Sequence, residues 1–231
     1  MRAYLLSLAN SSADFSACFM RSLKLAQSEH HRIFGIATSS GKLLASMTTS
    51  LDTHSNFIAG TWDIDAMHST VSFTVKHLMI SKVRGTFDGF SGTIVTSENP
   101  AENTANATID MATINTNQAD RDNHLRTNDF FKVDEFPTAT FTSTSITIDG
   151  DDLTIDGDLT LRGVTKPVTL KGEFGGIATD GYGQTKAAAS ASTVINRTDF
   201  GVNYNAALET GGVLLGEDIS LTFDLQAALQ K

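Results

Sequence analysis

The sequence predicts an all-β protein: about eight antiparallel strands joined by short connections, one short helical insertion, and a poorly ordered N-terminal extension ahead of them. Three observations carry this reading. Beyond residue 59, apolar and polar residues alternate in run after run, the period-two signature of strands buried on one face. Sixteen of the eighteen glycines fall at or after Gly60, between or inside those runs, where turns and bulges need them. The aromatic residues are fourteen Phe against three Tyr and one Trp, and Phe fills or lines a dry interior without a polar group that needs a partner.

The boundary near Ala59 is also a charge boundary. Residues 1–59 carry five Lys and Arg against three Asp and Glu, whereas the remaining 172 carry twelve against twenty-three. The acidic chain, −9 in all, is therefore an acidic domain at 60–231 behind a slightly basic leader at 1–59. Within the leader, Ala13 to Gln27 could form one weakly amphipathic helix with Phe15, Phe19, Leu23 and Ala26 along a face. Arg2 followed by Ala3 to Ala9 begins like an export signal, but Asn10, Ser11, Ser12 and Asp14 interrupt it before an apolar region is complete. Phe15-Ser16-Ala17-Cys18 matches a lipoprotein cleavage site only loosely, because Asp14 stands where apolar residues belong. The expectation is a disordered leader or a start codon assigned too far upstream, a later start such as Met47 leaving the domain intact. A cytoplasmic location is favoured on this ground.

The strands follow in order. Thr70 to His77 sets Val71, Phe73 and Val75 on one face against Ser72, Thr74 and Lys76 on the other. Val83 to Val95 is broken by Gly85, Gly89 and Gly92, which mark bulges or the sharp curvature of a closing barrel. Ala105 to Ile114 is next. Gln118 to Phe131 then breaks the rhythm with helix formers and no alternation, with Asn117 or Asp120 as a potential N-cap; it is placed between strands four and five, where it could roof one end of a barrel. Ala139 to Ile148 and Leu153 to Leu161 flank Asp149-Gly150-Asp151-Asp152, a hairpin turn. Val168 to Phe174, Ala187 to Ile195 and Val213 to Leu225 complete the set. Such one-sided strands must bury their apolar faces against each other, as a closed barrel or as a sandwich.

Composition and motifs exclude much. No run approaches the ~20 apolar residues of a spanning helix, and an acidic surface repels nucleic acid. Cys18, the single cysteine, leaves no internal disulfide or multi-cysteine metal site. No Gly-x-Ser-x-Gly elbow and no His-Glu-x-x-His occurs. Gly181 to Lys186 resembles a phosphate loop only superficially and reads as a turn between strands. The acidic run Asp149 to Asp158 fails the calcium-loop template, with Thr154 and Thr160 at its sixth and twelfth positions. Three histidines of the domain, His68, His77 and His124, could bind a metal if the fold gathered them, but their spacing does not demand it, and no metal is expected. Arg121, Asp122 and His124 are the one bare acid–base candidate; an ion-pair network anchoring the helix is the favoured reading.

The inward apolar set is more informative. Val71, Phe73, Val75, Phe87, Phe90, Phe141, Leu159, Leu161, Leu221 and Phe223 converge on one interior. The pattern alone leaves two outcomes open, a filled core or an elongated cavity for a lipid-like ligand, because eight-stranded barrels lie near the threshold between them.

At these residues the chain resembles the YceI-like family, bacterial lipid- or polyisoprenoid-binding proteins with a lipocalin-like barrel. The match runs through Gly60-Thr61-Trp62-Asp63-Ile64-Asp65, His68-Ser69, Val71 to His77 and Val83-Arg84-Gly85-Thr86-Phe87. It continues with Ala119 to Leu125, Asp129-Phe130-Phe131, Phe136-Pro137, Gly157 to Val168, and Asn196 to Val202. The resemblance implies an eight-stranded antiparallel barrel whose long apolar pocket holds an amphiphile such as an isoprenoid quinone or its precursor, with fatty-acid derivatives also plausible. It implies a periplasmic or secreted location as the alternative to a cytoplasmic one, and it allows a homodimer.

The expectation is thus a non-enzymatic binder or carrier of a polyisoprenoid-type lipid, with no cofactor beyond that lipid. The ten apolar residues above line the pocket; His77, Arg121, Asp122 and His124 hold a polar head or gate an end. Two other readings stand beside it: an enzyme acting on a bound lipid through Arg121, Asp122 and His124, and a stress-related interaction module with a filled barrel.

Overall fold

The computed structural model describes residues 57–207 and 212–231. The reading of residues 1–59 therefore lies outside the described residues, apart from Phe57, Ile58 and Ala59. In chain order the strands are β1 (Gly60–Ile64), β2 (Thr70–His77), β3 (Ser81–Phe87), β4 (Phe90–Thr96), β5 (Thr104–Asp110) and β6 (Ile114–Asn115). After helix α1 (Ala119–Arg126) come β7 (Thr138–Asp149), β8 (Asp152–Leu161), β9 (Val164–Thr179), β10 (Thr185–Asn196) and β11 (Leu215–Leu229).

The registers reduce these strands to eight. β1 and β2 lie end to end along β11, β1 through Trp62 opposite Leu229 and β2 through Val71 opposite Phe223. On their other side, β4 faces β1 and β3 faces β2, with Trp62 opposite Ile94 and Val71 opposite Phe87. β5 and β6 continue the pattern against β4 and β3. Three long strands are thus each bent once, at the 3-10 turn Ala66–His68, at Asp88-Gly89, and at the 3-10 turn Met111–Thr113. From there β7 to β11 follow as a simple meander. The pairing of β11 with β1 and β2 closes the ring, so the structure is a barrel and not a sandwich.

Several boundaries differ from those expected. β1 carries only five residues, too few to display alternation. By contrast, Val83–Val95 has the sharp bend that its glycines predict, at Asp88-Gly89. β9 is longer than Val168–Phe174, and Val213 stands outside β11 in an isolated bridge with Ala207. The helix is shorter than Gln118–Phe131 and enters one place earlier than counted, between the third and fourth strands of the meander. Gln118 caps it, its side-chain oxygen accepting from the Arg121 amide at 2.7 Å. Thr127 ends it: extended in conformation, it donates both its amide and its hydroxyl to the His124 carbonyl.

Successive turns alternate between two ends. The β2–β3 and β8–β9 turns, α1, residues 197–207 and residues 212–214 form one end. The β4–β5 and β9–β10 turns, the β7–β8 hairpin at Gly150 (φ 62°) and the C-terminus form the other. The core lies toward the first end. Val71, Phe87, Met111, Ile114 and Ala139 make one buried cluster, and Leu159, Ile195 and Phe200 a second.

Candidate functional site

The barrel encloses a cavity of about 990 Å³ bounded by residues from both ends, from His77, His124 and Tyr204 to Asp149, Gly150 and Gly176. That volume stands at the upper edge of the ~300–1,000 Å³ range of small-molecule sites, so the barrel is hollow and the filled-barrel reading is overturned. The sequence explains the space. The inward column of β10, set by its pairing with Ala227, Leu225, Phe223, Leu221 and Ile219, is Ala187, Ala189, Ala191, Thr193 and Ile195. One wall therefore contributes little more than methyl groups over half its length. Glycines do the same elsewhere: a Cβ on Gly157 would meet the Phe141 ring at 2.4 Å, so the bare backbone lets that ring lie close to the wall.

Of the apolar residues singled out in the sequence, Val71, Phe73, Val75, Phe87, Phe141, Leu159, Leu161, Leu221 and Phe223 line this cavity. Phe90 does not. Beside the Gly89 corner and opposite Ile109, it packs against the first core cluster instead. The Phe73 and Phe87 rings meet at 5.5 Å and 42°, within the range of favourable aromatic contacts.

The polar candidates separate. His77, Arg121 and His124 border the cavity; Asp122 does not. Asp122 is buried and accepts from the amide and hydroxyl of Thr116 at 2.9 and 2.5 Å, while Arg121 donates to the same hydroxyl and to the Thr116 carbonyl at 2.6 and 2.7 Å. Both side chains latch α1 onto the chain leaving β6, and Arg126 adds bonds to the carbonyls of Ala112 and Ile114. The anchoring network exists, but Thr116 is its hub rather than an Arg121–Asp122 pair. His124 turns away from it, Nε2 lying 2.8 Å from Asp129, and its ring meets those of Phe130 and Tyr204 edge-on at 5.1 Å each. The three histidines are not gathered. His68 lies at the opposite end, against Asp65 at 2.9 Å.

Two residues that the sequence did not mark shape the same end. Arg197 is 5% exposed and borders the cavity. It donates to the carbonyls of Gly216, Val202 and Tyr204 at 2.9, 2.6 and 2.9 Å. Burial pushes its guanidinium below the ordinary value, opposed by the charge of Glu217. It pins the segment that brings Tyr204 over the cavity. Only its place in Asn196–Val202 could have flagged it. At the other end, Trp62 is buried, borders the cavity, and donates from Nε1 to Thr96 Oγ1 at 2.9 Å.

Most of the cavity lining is thus apolar, with His77, Arg121, His124, Arg197 and Tyr204 grouped at one end and Thr96, Asn103, Asp149 and Asp151 at the other. Such a site can bury a chain and meet a polar group with hydrogen-bond donors. It does not bring Asp122 to the cavity beside Arg121 and His124, so the alternative three-residue acid–base set is not assembled.

Residues 62–227 match the family model described as the YceI-like domain. Protein YceI of Escherichia coli O17:K52:H18 is 46% identical over 141 residues, covering 61% of this chain and 74% of that protein. The crystal structure of the Campylobacter jejuni YCEI protein superposes with a TM-score of 0.58 at 34% identity, covering 68% of this chain and 90% of the other. A domain from Saccharophagus degradans, at 18% identity, shares the fold with a TM-score of 0.57 over 75% of this chain and all of the other. On the family match over most of its length, with the barrel and its hollow interior in place, the chain belongs to the YceI-like domain family.

Proposed function

We propose that this domain binds and carries an amphiphilic polyisoprenoid-type lipid, an isoprenoid quinone or its precursor, without altering it chemically. The observation that carries the reading is the cavity: about 990 Å³, lined mostly by apolar side chains, with its arginines and histidines all at one end. An isoprenoid chain offers apolar surface and no hydrogen-bonding groups, matching walls of Ala, Val, Leu and Phe. Burial at about 25 cal/mol per Å² supplies the affinity before ordering costs. The polar head then lies toward Arg121, His124 and Tyr204. The Saccharophagus degradans domain, which shares the fold, is described as a polyisoprenoid binding domain. Binding without chemistry fits the use of Asp122 as a latch for α1.

Trp62 makes the test direct. It is the protein's one Trp and it borders the cavity, so a quinone entering the barrel quenches its fluorescence saturably. Native mass spectrometry of the purified protein should also show a copurified lipid. No quenching together with no bound lipid would overturn the proposal.

A further inference from the structure

The β2–β3 turn is built against the usual rules for a water-facing loop. Its residues are Leu78, Met79 and Ile80, three consecutive large apolar side chains at 37%, 54% and 86% exposure. Leu78 and Met79 both have positive φ, 53° and 62°, a region where Asn and Gly are at ease and Leu and Met are strained. The turn is nonetheless held in place. The Ile80 amide donates to the His77 carbonyl at 3.2 Å and the Leu78 amide to the Leu214 carbonyl at 2.8 Å. Half-exposed Val213 is the next residue along.

The charges around this tip oppose those of the domain. Lys76 and Lys82 face each other directly across the hairpin, with Arg84 two residues on, all exposed. None of the three pairs with a carboxylate among the described residues. Glu217 and Asp218, on the β11 side of Lys76, are the nearest acids by register. At the other end of the barrel, the exposed Phe57, Met67, Val95, Ile148 and Tyr182 come from five separate segments rather than one run, among turns that carry Glu98, Glu102, Asp149, Asp151, Asp152 and Asp180. A three-residue apolar tip flanked by cations has the chemistry of a segment that sinks to the headgroup–acyl boundary of an anionic bilayer. His77 and Leu214, which flank the tip, both border the cavity.

We infer that the Leu78–Ile80 tip, with Lys76, Lys82 and Arg84, docks the domain onto anionic lipid surfaces and brings the His77 end of the cavity against the bilayer. Docking stands on the tip alone; its use for loading a lipid rests on the function proposed above.

The test is co-sedimentation of the full chain with vesicles of phosphatidylglycerol and phosphatidylcholine, against pure phosphatidylcholine. Binding is expected to the anionic vesicles and to fall as salt rises. Lys76→Gln and Lys82→Gln should each weaken it about fivefold, and Met79→Ser with Ile80→Ser should weaken it at least as much. The tip variants must keep the wild-type circular dichroism spectrum and Trp62 quenching by quinone dispersed in detergent, which separates loss of docking from loss of the cavity. Wild-type protein that ignores anionic vesicles, or a folded serine variant that binds them as well as wild type, overturns the inference. So does a dimer in solution that the serine variant dissociates while vesicle binding is absent; the tip would then be a contact between copies. Failure of quinone to quench Trp62 while vesicle binding persists would instead count against the lipid-carrier reading alone.

Discussion

The Phe73 ring lies directly against the backbone of Gly85: a Cβ placed on Gly85 would come within 2.5 Å of Phe73 Cζ and 2.9 Å of the Asn115 carbonyl oxygen. Gly85 is opposite Phe73 in the β2–β3 ladder and points to the same side. The ring therefore occupies the volume where any other residue would hold its side chain. Gly85→Ala has no free space to use, because one of its neighbours is backbone. A loss of about 1–3 kcal/mol is expected, the range for overpacking, read as a lower urea midpoint with an unchanged m-value. Wild-type stability would show that the barrel wall gives way there without cost.

Asp65 ties the closure of the barrel. From the turn between β1 and β2 its Oδ2 lies 3.0 Å from Lys186 Nζ on β10 and 2.9 Å from His68 Nδ1. The Lys186 hydrogen bond, then that of His68, hold its carboxyl down to about 2. A carboxylate whose folded value is depressed stabilises the fold fully above its unfolded value near 4, and that contribution is lost as pH falls toward 2. Asp65→Asn should therefore lower the melting temperature at pH 7, and the gap to wild type should close between about pH 4 and 2. A gap that persists undiminished at pH 2 would mean that the side chain acts through shape rather than charge.

The strained tip has a separate consequence for stability. Met79 has a φ of 62° and is 54% exposed, so it contributes little packing in water while it holds an unfavourable backbone. Met79→Gly relieves that strain, offset in part by the greater freedom of glycine in the unfolded chain. A net gain of up to about 1 kcal/mol is expected in chemical denaturation. Destabilisation would show that the methionine packs where the exposure says it does not.

The eight-strand meander is legible in the sequence because period-two alternation survives in every strand long enough to show it, and the turns at Gly150 and at Asp180–Gly183 announce themselves by residue type. β1 is not legible, since five residues give at most two full alternations. Large residues do not decide between core and cavity, since Phe73, Phe141 and Leu221 face inward in either case. The informative residues are small ones, the Ala187, Ala189, Ala191 column, whose parity becomes clear only when β10 is paired with β11. Arg197 and Tyr204 reach the cavity through the folding back of a long connection, which no local pattern encodes. Asp122 illustrates the converse. It sits between Arg121 and His124 in sequence, yet adjacent positions on a helix point to different sides, and it serves Thr116 rather than the cavity.

Filling the alanine wall is the sharpest test that this space does the binding. Ala191 is 8% exposed, borders the cavity and stands opposite Phe223 in the β10–β11 ladder. Its neighbours along the same inward column are Ala189 and Thr193, so a larger side chain projects into open volume rather than into a packed core. Ala191→Phe should fold, because the ring buries apolar surface in a cavity able to receive it. The same ring should obstruct an extended chain running the length of the barrel and weaken quinone quenching of Trp62 by at least about tenfold, some 1.4 kcal/mol. Ala191→Val, which adds only two carbons, should fall between the two. Wild-type quinone affinity in a folded Ala191→Phe protein would place the ligand elsewhere than beside β10.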